Sequence, residues 1–594
     1  MGRRAIAGRG PGARRRVLLA LAGVGLVVLA WLAWVGVDAA RARNQLLAAA
    51  TQVQGLEQQV LDADGDGAAR TLAELQQRTA AARELTRGPH WSAARAVPWL
   101  GANVRAVQEV TDVVDGVMQD ALPALLDATT LVDPASLAPV DGRIDLAPLE
   151  AAGPQVIGAD AALQEAARAL DAIEPAGLLP GVREPLALVR AEVDQVAATT
   201  ATAARAVRLL PPMLGADGPR EYLLLVQNSA EPRATGGEVG LIALLRATNG
   251  ALEIVEQRGA SGILSGLSEP VLPLTAEEQA IFGTGLGRYM ADVTFTPDFP
   301  RSGELARAFW SQQIGGDVDG VLSIDPGALA TLLGATGPVL LPTGQELTAA
   351  NAAQLLLNGV YLAVEDPAEQ DAFYAATAQT VFGALLGGQG EPAAMMAALA
   401  QSAREGRLMA WSSHPDEQAL LAGTVLSGEL VGVRGDSPVV GVFVNDGSAS
   451  KIGYYLRMDV EVGTTECRAD GSQALEVSVT LTSTAPANAA DLPPYVAGGG
   501  IVVPKGEAQM NVLVYAPQGG RVDNVNISPG TSGVFSNVHD GLAMVGKTIR
   551  LKPGETVTLN LAIGTSSGQL GAPQLRVTPL AHGSVVIDQG RLCE

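Results

Sequence analysis

The sequence predicts a multidomain α+β protein with four parts in order: an N-terminal transmembrane helix, a helical stalk or bundle, an α/β domain and a C-terminal β-sandwich. Three observations predict this order. At 594 residues the chain is too long for a single hydrophobic core. Hydrophobic residues make up 47% and charged residues only 17%, which favours folded structure over disorder. The spacing of apolar residues also changes along the chain from helical to alternating.

The N-terminus has the pattern of a membrane anchor. Residues 1–16 contain several Arg and no acidic residue, and residues 17–37 form an uncharged run that ends before Asp38. A bilayer core requires roughly 20 helical residues, and Trp31 and Trp34 lie where aromatic side chains favour the membrane interface. The pattern predicts a cytoplasmic basic tail, one membrane-spanning helix and an extracellular bulk. A cleaved signal peptide is the alternative, but the run is long and its cleavage site is weak.

Helical periodicity continues over residues 38–214, with breaks at segments rich in Gly and Pro, and predicts an extracellular stalk or bundle. From 215 to 436 the pattern mixes strands with helices. Tyr222–Gln227 is apolar and precedes a polar turn, and the pair Asn249-Gly250 between two apolar runs is a hairpin signal. This mixture predicts an α/β domain.

Residues 437–594 alternate apolar and polar residues with a period of two, which predicts a β-sandwich. The two cysteines, Cys467 and Cys593, both lie in this segment. A C-x-x-C metal or redox site is therefore excluded. A disulfide between them fits an oxidising exterior; two buried thiols are the alternative.

The formal net charge of −22 argues against nucleic acid as a partner, because neutralising phosphates requires a basic face. The same charge repels an anionic polymer unless a local basic pocket overrides it. The histidines are scattered and lack metal-ligand spacing. The sequence therefore indicates no resident cofactor.

One stretch is specific enough to carry a family resemblance: Tyr-Leu-Leu-Leu-Val-Gln-Asn-Ser-Ala-Glu-Pro-Arg-Ala-Thr-Gly-Gly at residues 222–237. The chain resembles an uncharacterised, membrane-anchored bacterial family, the domain of unknown function numbered 4012. Further matching segments bring the similarity to most of residues 90–460. They are Thr296–Pro300, Asp317–Asp325, Thr336–Pro338, Leu347–Asn351 and Asn445–Leu456. The resemblance implies an architecture and no established activity.

The order of elements is also similar, more distantly, to the LytR–CpsA–Psr family, which transfers lipid-linked glycopolymers onto the cell wall. The resemblance implies a degenerate version of that fold. Gln227-Asn228 replaces the metal-holding acid of the first turn, and Thr235 or Gly236 replaces that of the second. Residues 359–376 contain no Arg where that family is Arg-rich. Such a transferase requires cations and Mg²⁺ to neutralise phosphate charge.

The remaining candidates for chemistry are few. Arg233, beside Thr235 and the pair Gly236-Gly237, could hold an anion together with Arg258. The alternative is that the glycines only permit a tight reversal and that Arg233 pairs with Glu231 or Glu238. Weak candidates for a cation site are Asp298, Asp317 and Asp319, although such residues are also ordinary turn and capping residues.

Three functions follow from these observations. The first is a non-catalytic envelope protein that binds or positions cell-envelope polysaccharide or its lipid-phosphate carrier. The second is an active glycopolymer phosphotransferase that uses Mg²⁺ with rearranged ligands, drawn from Glu238, Asp298 and Asp317. The third is a structural scaffold for envelope proteins. An enzyme predicts Arg233, Arg258 and two carboxylates in one cleft, a binding module predicts a cleft with Arg and no acidic cluster, and a scaffold predicts an exposed apolar patch.

Overall fold

The computed structural model describes residues 11–61, 64–98, 100–131, 138–259, 266–530, 533–588 and 593. Most of the predicted basic tail lies outside these residues, and so do the side chains of residues 11–22. The described chain forms two compact units. The first comprises residues 1–133 and 146–211, and the second comprises residues 134–145 and 212–594.

The first unit is helical. Its helices are α1 (Pro11–Leu61), α2 (Gly65–Leu85), α3 (Pro89–Arg95), α4 (Gly101–Gly116), a π-helical turn (Val117–Ala121), α5 (Leu122–Leu131), α6 (Ala147–Asp171) and α7 (Pro180–Met213), the last crossing into the second unit. Alanines occupy many of the buried positions, including Ala82, Ala121 and Ala159. Because Ala has a small side chain and a high helix propensity, it lets these helices approach closely. Asp64 caps α2 by accepting a hydrogen bond from the Gly67 amide at 2.9 Å.

The predicted transmembrane helix over residues 17–37 is wrong. The stretch lies inside α1, and among the residues that the structure describes no helix is long and apolar enough to cross a membrane. Trp31 Nε1 donates a hydrogen bond to the His90 carbonyl at 3.1 Å, and the Trp34 ring stacks on the His90 ring at 4.2 Å. Both tryptophans therefore contact protein. Three further predictions depended on this helix and are wrong for the same reason: the membrane part of the fold class, the signal anchor and the single-pass localisation.

The second unit contains a mixed five-stranded sheet in the order β3-β2-β1-β4-β7. The strand β1 pairs antiparallel with β2 and parallel with β4, and β7 is antiparallel to β4. The bounds are β1 (Arg220–Arg233), β2 (Gly236–Thr248), β3 (Ala251–Gly259), β4 (Gly320–Ile324), β5 (Val339–Leu340), β6 (Glu346–Leu347) and β7 (Leu408–Ser412), with β5 and β6 forming a separate ladder.

The hairpin signal at Asn249-Gly250 is confirmed. Both residues have positive φ, +46° and +80°, and they connect β2 directly to β3. The predicted turn after Gln227 is shorter than expected, because β1 continues through irregular pairing to Arg233 and leaves only two residues before β2.

Helices cover both faces of this sheet and extend around it. They are α8 (Ala276–Phe282), α9 (Gly285–Arg288), α10 (Phe299–Gln313), α11 (Pro326–Thr336), α12 (Ala352–Gln354), a π-helical turn (Leu355–Gly359), α13 (Val360–Ala363), α14 (Pro367–Leu386), α15 (Pro392–Arg404) and α16 (Pro415–Leu421). Short 3₁₀ segments cover Met290–Phe295, Lys451–Tyr455 and Ala489–Asp491, and α17 covers Pro494–Ala497. The helix α11 is capped by Asp325, whose carboxylate accepts from the Ala328 amide at 2.8 Å.

The C-terminal part consists of two sheets that share one core. Their orders are β13-β16-β11-β10-β18 and β14-β15-β12-β9-β17, with β8 paired to β9. The strands are β8 (Val433–Arg434), β9 (Ser437–Asp446), β10 (Leu456–Cys467), β11 (Gln473–Ser483), β12 (Ala508–Tyr515), β13 (Arg521–Ser528), β14 (Phe535–His539), β15 (Leu542–Leu551), β16 (Thr556–Gly564), β17 (Gln574–Val577) and β18 (Ser584–Asp588). Val442 and Val512 from one sheet meet Val460 and Val477 from the other. A disulfide joins Cys467 to Cys593.

One buried ion pair ties α11 to the C-terminal sheets. The Arg407 guanidinium contacts the Asp325 carboxylate, and its Nη2 donates to the Leu580 carbonyl at 2.9 Å. The side chains are only 8% and 2% exposed. Burial raises the pKa of Asp325, and the charge of Arg407 opposes that rise. The carboxylate that caps α11 therefore depends on one arginine for its charge compensation.

We expect Arg407→Met to lower the free energy of unfolding by about 3–5 kcal/mol, because it leaves the Asp325 charge buried without its partner. Urea unfolding at neutral pH measures this loss. The control is Arg307→Met, because Arg307 pairs with Asp317 at the surface, where the side chains are 37% and 62% exposed. The control should cost under about 1 kcal/mol. Equal losses in the two variants would show that burial adds nothing to the Asp325 pair.

Candidate functional site: an apolar cavity with a charged end

A cavity of about 620 Å³ lies in the second unit between the mixed sheet and the helices α11 and α14. This volume falls within the range of roughly 300–1,000 Å³ that ligand sites occupy. Its walls are mainly aliphatic and aromatic: Leu224, Val226, Leu241, Ile324, Leu329, Leu332, Leu356, Leu357, Val381, Phe382 and Leu385. An apolar molecule is the kind of ligand that such walls accommodate.

The alternation of β1 explains why the cavity lies on one face of the sheet. Leu223 and Leu225 are fully buried and point into the core that α10 covers. Leu224 and Val226 point to the opposite face, are only half-buried and line the cavity. The sheet is therefore closely packed on one side and faces an open space on the other.

Three charged side chains form one end of the cavity. Lys451 Nζ lies 2.8 Å from Glu231 Oε2 and also contacts Glu238. Glu231 lies near the end of β1 and Glu238 near the start of β2, while Lys451 begins the 3₁₀ segment after β9. The ammonium is thus held between two carboxylates from adjacent strands. Lys451 is only 7% exposed, so these contacts are made with little water present.

Burial and neighbouring charges shift the pKa values of Glu231 and Glu238 in opposite directions. Burial raises the pKa of Glu231, but the charges of Lys451 and Arg233 outweigh it and lower that pKa to about 2. Burial also raises the pKa of Glu238, where Lys451 compensates less and the charge of Glu231 adds to the rise. Burial lowers the pKa of Lys451, yet its two carboxylate partners raise it well above its usual value. Lys451 is therefore a permanent cation at this site.

Arg233 extends the charged cluster away from the cavity. Its Nη2 lies 3.0 Å from Glu231 Oε1 and 3.3 Å from Asp292 Oδ1, and the guanidinium lies 4.4 Å from the centre of the Phe295 ring. Burial raises the pKa of Asp292 to about 6, although Arg233 opposes the rise. The guanidinium is therefore engaged by carboxylates of its own chain.

Asp446, at the end of β9, is a fourth buried carboxyl of the cluster. Its Oδ2 accepts hydrogen bonds from the amides of Ser448 (2.9 Å) and Ala449 (2.8 Å), whereas Oδ1 is buried without a partner. Burial, reinforced by the charge of Glu231, raises its pKa to about 7, against the opposing effect of Arg233. The carboxyl therefore holds its proton to a higher pH than an exposed aspartate does.

Three tyrosines line the cavity beside this charged end. The Tyr361 ring centre lies 6.1 Å from those of both Tyr374 and Tyr495, and the planes of Tyr361 and Tyr495 differ by 20°. Asn228 Nδ2 donates to the Tyr361 hydroxyl, and Lys451 Nζ lies 5.8 Å from the centre of the Tyr361 ring. The transition from apolar wall to charged end is therefore aromatic.

Two hydroxyl groups on the cavity wall lack partners. Ser450 Oγ and Thr377 Oγ1 are buried and make no hydrogen bond within the described chain, and both residues are 4% exposed. A buried hydroxyl without a partner costs free energy, so these atoms are available to a ligand.

The structure places the predicted anion-binding residues in contacts within the chain. Thr235 Oγ1 donates to the Thr294 carbonyl at 3.4 Å, and the Gly237 amide donates to Gln227 Oε1 at 2.6 Å. Gly236 has φ +140°, and a Cβ there would lie 2.4 Å from the same Gln227 oxygen. The two glycines thus allow a tight reversal packed on Gln227. The hypothesis that Arg233 pairs with Glu231 is confirmed.

Arg258 does not join Arg233. It contacts Glu256 and lies 6.0 Å from the centre of the Trp310 ring, so the two predicted arginines share no partner. Anion binding by either one remains a prediction.

The predicted cation-site aspartates are also separate. Asp298 caps α10 and accepts from the Arg301 and Leu430 amides, and burial raises its pKa to about 6. Asp317 pairs with Arg307, while Asp319 binds Arg220 at 3.0 Å and His414 at 2.7 Å. Among the described residues, no group of His, Cys, Asp and Glu is arranged to hold a metal ion.

Sequence reasoning missed the cavity and most of its charged end. In the sequence, Lys451 stood out only as part of the family segment Asn445–Leu456, and Glu231 only as an alternative partner of Arg233. One signal was available: Lys451 is one of four lysines and lies among small and apolar residues, where a charge requires a buried partner. The identity of that partner could not be read from the sequence, because Lys451 and Glu231 are 220 residues apart.

The fold and cavity define a mixed α/β domain with an internal apolar site and a charged end. Residues 217–361 match the family described as "Protein of unknown function (DUF4012)", so this segment is a domain of that uncharacterised family. The match confirms the resemblance over a shorter stretch than residues 90–460, from just before β1 to Tyr361. No curated protein matches the chain. The likeness to the LytR–CpsA–Psr family is not shown.

We expect Asp446→Asn to change how stability depends on pH. The pKa of Asp446 is about 7 in the folded protein and 3.8 in the absence of its environment. The folded state therefore holds a proton that the unfolded state has released, so this stabilisation is present below pH 4 and is lost as pH rises through about 7. From pH 5 to pH 8, the free energy of unfolding of the variant should rise by on the order of 1–3 kcal/mol relative to that of wild type.

Urea unfolding at pH 5 and pH 8 measures that change. Asp459→Asn, at an exposed position on β10, controls for the loss of one carboxylate. If the free energy of unfolding changes with pH by the same amount in both variants, the change comes from net charge and not from the buried carboxyl.

Proposed function

We propose that the second unit is a binding module that holds an elongated apolar ligand in the cavity between the mixed sheet and the helices α11 and α14. The observation that carries the proposal is the wall itself, in which aliphatic and aromatic side chains from β1, β2, β4, α11 and α14 enclose one space. Lys451, Glu231 and Glu238 meet at one end of the cavity and form a charged cluster there, which suits a ligand with one polar end.

Of the two ligand types expected from the sequence, the cavity favours a lipid-type chain over a polysaccharide. A sugar polymer presents hydroxyl groups along its whole length, and each one requires a hydrogen-bond partner when it is buried. The aliphatic side chains that form most of the wall offer none, and the polar residues among them are few, such as Gln370, Asp371 and Thr377. A hydrocarbon chain needs no partner there and gains free energy from leaving water, at about 25 cal/mol per Å² of apolar surface buried.

The contacts of the cavity favour binding over turnover. Arg233 and Arg258 do not converge on the cavity, as the transferase hypothesis requires. The two glutamates that line its charged end are already held by Lys451. The proposal therefore assigns these charges to closing the site and orienting one end of the ligand.

We expect Ala378→Phe to abolish binding of a neutral apolar fluorescent probe, N-phenyl-1-naphthylamine, because Ala378 lines the cavity from α14 and a phenyl ring would fill the space. Wild type should enhance the fluorescence of the probe and release it on addition of dodecanol. The measurement is a fluorescence titration of the full chain.

Ala372→Phe is the matched control, because Ala372 lies on the same helix but is exposed and does not line the cavity. It should bind the probe as wild type does. If wild type fails to bind the probe, or if the two Phe variants behave alike, the cavity is not the binding site.

A further inference from the structure

We propose that the cavity selects a long-chain ligand whose polar end is a cationic amine or ammonium group, in preference to an anionic phosphate or carboxylate. This inference rests on the proposed binding function and specifies the ligand class. It is carried by the charge balance at the end of the cavity, by the tyrosines beside it and by the unpartnered hydroxyl of Ser450.

The charge balance at this end is negative. Three charged groups of the cluster line the cavity, the cation Lys451 and the carboxylates of Glu231 and Glu238, which leaves one carboxylate in excess when both are ionised. Arg233, Asp292 and Asp446 extend the cluster away from the cavity and add one further carboxylate in excess when all are ionised. Burial raises the pKa of several of these carboxyls, because the cations do not fully compensate them. An anionic head group would add to the excess, whereas a cationic head group would reduce it.

The aromatic residues favour the same charge. Tyr361, Tyr374 and Tyr495 line the cavity next to Glu231 and Glu238, and a tyrosine face attracts a cation through its quadrupole. Lys451 already uses this property, with its ammonium 5.8 Å from the centre of the Tyr361 ring. Tyr495 is 44% exposed, so its ring can be reached from outside.

The Ser450 hydroxyl supplies the independent sign of a ligand. It is buried, lines the cavity beside Lys451 and has no partner within the described chain. Its oxygen can accept a hydrogen bond from an amine N–H, which no apolar wall residue can do. The carboxylates, tyrosine rings and free hydroxyl thus form a polar end that suits a cation on an aliphatic chain.

The test compares three ligands with the same tail: dodecylamine, dodecanol and dodecyl phosphate, each below its micelle concentration. Calorimetric titration into the full chain should show that dodecylamine binds about five- to ten-fold more tightly than dodecanol. Dodecyl phosphate should bind more weakly than dodecanol. Tighter binding of the phosphate, or equal affinity for the alcohol and the amine, would overturn the inference and leave the apolar site in place.

Two variants test whether the charged end of the cavity causes the preference for the amine. Glu238→Gln removes one carboxylate from the cavity and should reduce the ratio of amine to alcohol affinity by at least two-fold, while dodecanol binding shows that the cavity is intact. Glu253→Gln removes a carboxylate whose side chain is 64% exposed on β3, and the ratio should not change. An unchanged ratio in Glu238→Gln would overturn the assignment of the charged end. Absence of binding for all three ligands would instead refute the proposed function.

Discussion

The burial of Lys451 between Glu231 and Glu238 is the interaction on which the second unit depends. An ammonium buried away from water requires a negative charge close by. The free-energy cost of burying an unpaired charge is larger than the stabilisation that most single contacts provide. The two glutamates come from β1 and β2, whereas Lys451 follows β9. The ion pairs therefore connect residues more than 200 positions apart and fix the 3₁₀ segment after β9 against the place where β1 ends and β2 begins.

Neutral hydrogen bonds reinforce this connection. The amide of Ala234, in the turn between β1 and β2, donates to Asn445 Oδ1 at 2.8 Å, and Thr578 Oγ1 donates to the Ala234 carbonyl at 3.0 Å. Both backbone groups of Ala234 are thus satisfied by side chains from the C-terminal part, as buried polar groups must be. The mixed sheet and the two C-terminal sheets consequently form one unit, and the charged end of the cavity is built from both.

The sequence predicted the local elements of this unit better than their long-range contacts. Alternation in β10, β11 and β16 and the pair Asn249-Gly250 depend on neighbouring residues, and the structure has strands and a hairpin at those places. The arrangement around Lys451 depends on chain closure over long separations, which no local pattern encodes. Within the motif that ends in Gly236-Gly237, β1 continues to Arg233, because Pro232 and Arg233 pair with Gly237 and Gly236 after a register shift that the sequence does not reveal.

The error at the N-terminus has a related cause. The apolar run at residues 17–37 gave the same signal as a membrane span, because composition does not reveal that its two tryptophans contact another helix of the chain. In the structure Trp31 and Trp34 contact His90, and His90 Nε2 lies 3.0 Å from Asp38 Oδ2. Asp38, which ended the predicted span, is itself buried by this contact, with 6% exposure. A charge at the end of an apolar run can therefore mark a buried partner as well as a membrane boundary.

The cavity exists because the two faces of β1 are packed differently. A closed hydrophobic core brings side chains into contact at close to crystal density, and the face of β1 that carries Leu223 and Leu225 does so. On the other face, Leu224 and Val226 remain half-buried, so their outer surfaces lack the dispersion contacts that a filled space would give. Water is a poor substitute, because a molecule in an apolar space finds few hydrogen-bond partners. The hydrocarbon chain of the ligand that we propose would supply the missing contacts, and the charged end would then select among such ligands by their head groups.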